Sequence, residues 1–166
     1  AALLHEYVAR FEQAAGDLSL VKRAKALGRT PYEVLTIASL LQAEGTPNDF
    51  AKIARVIYNR LDSGMPLQLD STVAYGLGIS RLQLTAEELK SEGPYNSYVN
   101  KGVPPTPINS PGSAAIEAAL APAQGKWLYF VTVNPDTKET KFAKGYDKFL
   151  QLKREYQDYL ASKGKP

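Results

Sequence analysis

The sequence predicts an α+β fold: a mainly helical single domain with a small antiparallel β-hairpin near the C-terminus and a proline-rich loop region lining a cleft. Apolar residues recur at helical spacing in the first third of the chain and at its end, and the period changes to that of strands after residue 126. The 166 residues suit one domain, and 44% apolar with 22% charged residues is an ordinary globular composition. We expect one domain over 1–166, with a helical lead-in (1–29), a core (30–146) and a C-terminal helix (147–166).

The lead-in is predicted to contain two helices. The first spans 3–15, and the second spans 18–27 and ends at Gly28. The first of these carries apolar residues three or four positions apart, as one face of a helix requires. These residues are Leu4, Val8, Phe11 and Ala15.

A third helix has a clear start signal in the segment GRTPYEVL. Thr30 is placed to cap it, Pro31 suits the first helical position, and Glu33 completes a capping box. We expect this helix to run over 31–44 and to stop at Gly45 as the C′ residue. The next segment, TPNDFAKIARVIYNRLDSG, predicts a fourth helix with one apolar face that ends near residue 64.

The centre of the chain, 65–111, is rich in loops and holds most of the prolines. Short helices are predicted there over 71–75 and, capped by Thr85, over 86–90. A helix over 112–120 precedes two strands joined by a turn at 134–138. The last helix is predicted over 146–162, with one apolar face. That face comprises Phe149, Leu152, Tyr156 and Leu160.

Several classes of function are disfavoured by composition. The chain has no cysteine and a single histidine, His5, so thiolate chemistry is excluded and histidine-based metal sites or triads have little support. The net charge of +3 arises from the helical tail, which lacks the dense basic stripe of a nucleic-acid surface. No apolar run approaches the roughly 20 residues that span a bilayer. The chain has no signal peptide and no initiator methionine, and we expect it to be an excised domain.

Glu44 ends an otherwise apolar helix in the segment LTIASLLQAEG. It shares a helical stripe with Ile37 and Leu41, so partial burial is expected. Burial and the negative end of the helix dipole both disfavour the carboxylate and raise its pKa. Such a carboxyl group can act as a general acid near neutral pH. The alternative, a solvated glutamate beside Gly45, stays open from periodicity alone.

Two loop segments interleave polar and aromatic side chains, namely GMPLQLDSTVAYGLG and GPYNSYVNKGVPPTPINSPG. Proline stiffens such loops, and polar groups among aromatic rings suit sugars, which have hydroxyl edges and C–H faces. We therefore expect these residues to converge on a substrate groove that also contains Glu44. The alternative is that they serve only as helix caps and bends. The candidate substrate-binding residues are Gln68, Ser71, Thr72, Tyr75, Tyr95, Asn96 and Asn109.

Four blocks in order resemble one family: IASLLQAEG, IARVIYNRLDSGMPLQLDSTVAYGLG, YNSYVNKGVPPTPINSPGSAAIEAALAPA and LYFVTVNPDTKETKFA. They are similar to the endolytic murein transglycosylases, the MltG/YceG-like family, over about 30–146. The resemblance implies that 30–146 is a catalytic core and that Glu44 is the catalytic residue. Members often have a Glu-x-Glu pair here, whereas this chain has Gln42-Ala43-Glu44.

The resemblance implies a lytic transglycosylase that cuts peptidoglycan strands internally, at the MurNAc-β-1,4-GlcNAc bond, and leaves 1,6-anhydro-MurNAc ends. It implies no cofactor and no metal, and it implies cell-wall synthases as partners. It places the full-length protein on the extracytoplasmic face of the bacterial membrane. A single anchor and a small LysM-like region would lie upstream of Ala1, and the present chain would be a soluble fragment.

Two rival functions remain open at this stage. A lysozyme-type hydrolase would use Asp70 as a second carboxylate. A cell-wall-binding module would use Glu44 only structurally. Within the transglycosylase interpretation, Asp70 is expected to cap the short helix that begins at Ser71.

Overall fold

The computed structural model describes residues 2–80 and 84–164, with side chains from Leu4 onward. These residues form a mainly helical α+β domain with a two-stranded antiparallel sheet near the C-terminus, as predicted. The elements are α1 (Ala2–Asp17), α2 (Leu20–Ala26), α3 (Pro31–Glu44), α4 (Phe50–Asp62), α5 (Asp70–Leu77), α6 (Ala86–Leu89), α7 (Ser113–Leu120), β1 (Tyr129–Asn134), β2 (Glu139–Ala143) and α8 (Tyr146–Ser162).

Helix α3 is the centre of the main core. It begins with the predicted capping box, in which the Glu33 amide donates to the Thr30 hydroxyl and the Thr30 amide donates to the Glu33 carboxylate. It is surrounded by α2, α4, α5 and α7. Ile37, Leu40 and Leu41 are fully buried, so the apolar helix expected from the sequence is enclosed rather than amphipathic.

The end of α3 depends on Gly45 for a reason that the sequence did not indicate. Gly45 is extended (φ −149°, ψ −167°) and not left-handed, so the expected C′ glycine geometry is absent. A Cβ atom at this position would lie 2.4 Å from Cδ1 of Ile53 on α4. Close approach of α4 to the end of α3 therefore requires the glycine, which follows Glu44 directly in the chain.

The hairpin and α8 form a second, smaller core. β1 pairs with β2 from Tyr129↔Ala143 to Asn134↔Glu139, with an irregularity after Thr132. Helix α8 covers this hairpin and buries Leu152 against Val133 and Ala143. Phe149 is only partly buried, and so is Tyr156, so the predicted apolar face of α8 is not a continuous core face.

One local expectation, the capping role of Asp70, is corrected by the structure. Helix α5 begins at Asp70 and not at Ser71, and its N-cap is Leu69 without any side-chain cap bond, so Asp70 is not the expected cap. Helix α1 packs against α2, but Leu4, Val8 and Phe11 of its apolar stripe are exposed. Over the residues that the structure describes, no helix is both long and apolar enough to cross a bilayer.

Candidate active site

Glu44 lies where the end of α3 meets the start of α5. The Ser71 hydroxyl donates a hydrogen bond of 2.5 Å to Oε1 of Glu44, and the Ser71 backbone amide also donates to this carboxyl group. Ser71 is the second residue of α5, where backbone N–H groups lack partners within the helix. The carboxyl group is therefore held in one position by the first turn of α5.

The pKa of Glu44 is raised above that of an exposed glutamate. Burial of the carboxyl group is the largest cause, although the residue as a whole keeps some solvent exposure. The two bonds from Ser71 stabilise the anion and oppose this shift, whereas the nearby charge of Asp70 adds to it. The net effect favours the protonated form, the form that can donate a proton.

Glu44 lines two cavities among the residues that the structure describes. The larger has a volume of about 440 Å³, and the smaller, of about 200 Å³, is lined by residues of the hairpin and its turn. The smaller cavity has polar walls at Thr46, Thr132, Lys138 and Thr140. The larger is lined by Arg60, Leu67, Gln68, Leu69, Asp70, Tyr98, Phe130, Val131, Tyr146, Phe149, Lys153 and Tyr156.

Asp70 also lines the larger cavity, and it has a dedicated partner. The Tyr98 hydroxyl donates a hydrogen bond of 2.5 Å to Oδ1 of Asp70. Burial, followed by this bond, raises the pKa of Tyr98, so the tyrosine stays a neutral donor. Two carboxyl groups with different hydrogen-bond partners, Ser71 for Glu44 and Tyr98 for Asp70, thus line one cavity.

A buried arginine, Arg60 of α4, joins two walls of this cavity. Its guanidinium donates to the carbonyls of Leu128 (2.6 Å) and Leu67 (2.8 Å), and to Oε1 of Gln68 (3.2 Å). It also lies over the ring of Tyr129, 4.9 Å from the centroid, and burial lowers its pKa. Arg60 was not among the site residues predicted from the sequence. Arg60 lies three residues after Ile57, on the apolar face of α4. A charged residue on an apolar helix face was the feature of the sequence that could have indicated its role.

The structure brings Gln68 and Ser71 to Glu44, but it uses other predicted residues to hold the loops. Thr72 is fully buried and shares a hydrogen bond of 2.8 Å with Ser97. Asn96 is also buried, and its amide donates to the carbonyls of Leu89 and Ser91. Both side chains are satisfied within the protein.

Tyr75, Tyr95 and Asn109 lie outside the walls of the two Glu44 cavities. Tyr75 and Tyr95 form an edge-to-face pair with ring centroids 4.9 Å apart, and Tyr95 lines a separate small cavity on the Gly76 side of α5. Asn109 donates to the carbonyl of Ser39. The predicted convergence of all these residues with Glu44 is not seen in either cavity, and the proline-rich segment 103–111 lines neither.

The hairpin and α8 supply walls that the sequence analysis did not assign to the site. Phe130 and Val131 of β1 and four residues of α8 face the larger cavity. Metal chemistry has no evident ligand set, because within 2–80 and 84–164 no three His, Asp or Glu side chains are grouped as a metal ion would require.

Comparisons with known proteins agree on one family. The YceG-like family profile matches residues 1–155. The chain is 41% identical to the endolytic murein transglycosylase of Bacillus subtilis strain 168 over 119 residues, which is 70% of this chain and 33% of that protein. It is 40% identical to the endolytic murein transglycosylase of Streptococcus pneumoniae serotype 2 strain D39 over 113 residues, which is 64% of this chain and 20% of that protein.

The fold comparison gives the same result. The crystal structure of a YceG-like protein from Listeria monocytogenes superposes with a TM-score of 0.84 at 34% identity, covering 91% of this chain and 48% of that one. The chain thus spans a fifth to about half of the length of these relatives. The match over most of its residues shows that the chain belongs to the YceG-like family.

Proposed function

We propose that this chain is the catalytic domain of an endolytic lytic transglycosylase of peptidoglycan. The observation that carries the proposal is the position of Glu44, a glutamate with a raised pKa at the junction of two cavities. The relatives named endolytic murein transglycosylase support the substrate class. Its substrate is the glycan strand, and the bond broken is MurNAc-β-1,4-GlcNAc.

The reaction needs one carboxyl group in two roles. Protonated Glu44 donates its proton to the glycosidic oxygen as the bond to C1 of the muramyl sugar breaks and positive charge develops there. The C6 hydroxyl of the same sugar then bonds to C1, and the Glu44 carboxylate accepts its proton. The products are a new 4-hydroxyl end and a 1,6-anhydro end, and Glu44 is protonated again.

The C6 hydroxyl of the muramyl sugar acts as the nucleophile, and this explains why a second carboxylate is unnecessary. Hydrolysing glycosidases pair an acid with a base or nucleophile that delivers water. Here the nucleophile is part of the substrate, and its effective concentration replaces activation of a water molecule. Ser71 has the role of holding the carboxyl group, because its hydroxyl and amide both donate to it.

Cleavage within a strand requires sugars on both sides of the broken bond. The larger cavity extends from Glu44 toward α8, and the smaller extends toward the hairpin turn. Two cavities that share Glu44 but have different walls therefore support an endolytic mode. Gln68 and the polar rim at Thr132 and Thr140 offer hydrogen bonds to sugar hydroxyl and acetamido groups.

A lysozyme-type hydrolase remains a second candidate because Asp70 lies in the same cavity as Glu44. Product mass separates the two reactions, since the anhydro product is lighter than the hydrolytic product by one water. The Tyr98–Asp70 bond favours the transglycosylase, because it engages the carboxylate that a hydrolase would use on water.

The decisive variant is Glu44→Gln, assayed on purified peptidoglycan sacculi with mass analysis of the products. Glutamine can still accept the Ser71 bond but has no acidic proton, so the rate should fall by about two to four orders of magnitude. Glu12→Gln on α1 is the matched control and should cleave at the wild-type rate. Wild-type activity in a folded Glu44→Gln variant would refute the assignment.

The cellular setting belongs to the same proposal. The full-length protein would act outside the cytoplasmic membrane, carried by an anchor outside this chain, beside cell-wall synthases. Fractionation of cells that express the full-length gene product, with protease treatment of intact protoplasts, tests the location. Recovery of the protein in the cytosolic fraction would contradict it.

A further inference from the structure

One face of α8 is directed at the cavity that contains Glu44. Tyr146, Phe149, Lys153 and Tyr156 follow one another at spacings of three, four and three residues, and all four line this cavity. That spacing places them along one stripe of a helix. Leu152, the buried residue of α8, is directed into the small core instead. Phe149 packs against the edge of that core as well, whereas Tyr146 and Lys153 of the stripe are exposed.

The N-terminal part of this stripe belongs to a group of packed aromatic rings. Phe149 stacks on Tyr129 of β1, with centroids 4.9 Å apart and an interplanar angle of 26°. The Tyr146 ring is tilted against both of these rings, with its centroid 5.8 Å from that of Phe149 and 6.0 Å from that of Tyr129, yet 58% of Tyr146 remains exposed. Arg60 lies over the ring of Tyr129 and so packs against the same group. Tyr146 thus presents an aromatic surface that packs on two neighbouring rings and that solvent can reach.

We propose that Tyr146, Phe149 and Tyr156, here called the α8 wall, form a saccharide-binding subsite that stacks against sugar rings next to the bond that is cut. A pyranose presents C–H groups on its face and hydroxyl or acetamido groups on its edge. Aromatic rings suit the face, and polar side chains of the same cavity suit the edge. Those polar side chains are Gln68, Asp70 and Lys153.

The size and lining of the cavity support a sugar over a purely apolar ligand. Its volume of about 440 Å³ lies within the usual range for small-molecule sites. Its walls carry two carboxyl groups and two cationic side chains besides the rings, which an apolar ligand would leave without partners. The identity of the sugar polymer rests on the proposed function, whereas the stacking surface rests on the geometry of α8.

The test is strand binding by protein that cannot turn over, with the Glu44→Gln substitution as background. The probes are soluble uncrosslinked glycan strands and β-1,4-linked GlcNAc oligomers. Tyr146→Ala and Tyr146→Leu should each weaken binding about tenfold, consistent with loss of one aromatic contact. Tyr146→Phe should bind within about twofold of the background protein, since it keeps the ring face.

Tyr32→Ala is the matched control, because Tyr32 is an exposed tyrosine (52%) that lines neither Glu44 cavity. It should bind as the background protein does. In otherwise wild-type protein, Tyr146→Ala should raise KM with little change in kcat. Unchanged binding in both Tyr146→Ala and Tyr146→Leu, or an equal loss in Tyr32→Ala, overturns the subsite.

The two proposals fail in different ways. If the wild-type chain leaves sacculi intact while Tyr146→Ala still weakens oligomer binding, the subsite stands and the transglycosylase assignment falls. If the wild-type chain releases anhydro products and Tyr146 substitutions change neither binding nor KM, the enzyme assignment stands and the α8 wall is refuted.

Discussion

The hydroxyl oxygen of Ser71 lies 2.5 Å from Oε1 of Glu44, and this bond joins the start of α5 to the end of α3. It stabilises the carboxylate, and the preceding residue, Asp70, stabilises the protonated form. Two adjacent residues therefore shift the pKa of one carboxyl group in opposite directions. Their substitution should move the pH profile of the reaction in opposite directions as well.

Ser71→Ala should move the alkaline limb of the kcat/KM profile to higher pH. The variant loses a bond to the anion, so Glu44 keeps its proton over a wider range. The rate at the optimum should fall about tenfold, because one hydrogen bond that positions the carboxyl group is lost. Strand cleavage measured across pH checks this, and a limb at lower pH would contradict it.

Asp70→Asn should move the same limb to lower pH. Removing the negative charge makes ionisation of Glu44 easier. Cleavage should persist, and the products should remain anhydro sugars, since Asp70 does not activate water in the proposed reaction. Activity that collapses as far as in Glu44→Gln, with products that contain the added water, would identify a hydrolase.

Glu44→Gln should raise stability at neutral pH while abolishing activity. The pKa of Glu44 is higher in the folded state, so folded protein binds more protons than unfolded protein. Wild-type stability therefore falls as pH rises from the unfolded pKa of about 4.3 through the raised folded value. The Glu44→Gln variant has no ionisable group at this position, so its stability does not fall with pH for this reason. Urea unfolding at pH 4 and pH 7.5 should show an advantage for the variant only at the higher pH, and Glu12→Gln should show none.

Asn96→Ala should cost about 1–3 kcal/mol of unfolding free energy. Its buried amide satisfies the carbonyls of Leu89 and Ser91, which would be left without that donor. Below the melting temperature, KM should stay near the wild-type value, because the side chain is buried within its own loop. A raised KM without loss of stability would restore the substrate-binding role expected from sequence. Asn48→Ala, at an exposed position, is the control for stability.

Gly45→Ala should destabilise the protein by about 1–3 kcal/mol and lower its activity, since the added methyl group overlaps Cδ1 of Ile53. The double variant Gly45→Ala with Ile53→Val lacks that Cδ1 atom. It should recover activity relative to Gly45→Ala, despite its own small cavity. Loss of activity that Ile53→Val does not relieve would show that close packing is not the reason for the glycine.

Local signals predicted much of the fold. The capping box at Thr30, the helix that ends at Glu44 and the turn near Asn134 depend on residues close in sequence, and each is present. Local signals could not show whether the aromatic stripe of α8 packs on a core or lines a cavity. A stripe of aromatic residues has the same helical period whether it faces a core or a cavity, and only the position of the hairpin decides which.

Polar residues in the central loops were harder to assign for a related reason. Asn96 and Gln68 have the same hydrogen-bonding groups, but Asn96 is directed inward and Gln68 lines the cavity. Backbone conformation, not residue type, decides this difference; Gln68 itself has a positive φ of 54°. Asp70 likewise resembles a helix cap in sequence, yet it bonds to a tyrosine that is distant along the chain.

The bonds of Arg60 have a consequence for the cost of binding a polymer. One planar cation donates to a carbonyl just before α5 and to another just before β1. Separating the two walls would strip partners from a charge that is shielded from water, which is strongly unfavourable. The width of the cleft is thus set in the free protein. If the proposed glycan strand binds here, the conformational entropy lost on association falls mainly on the flexible glycan rather than on the protein.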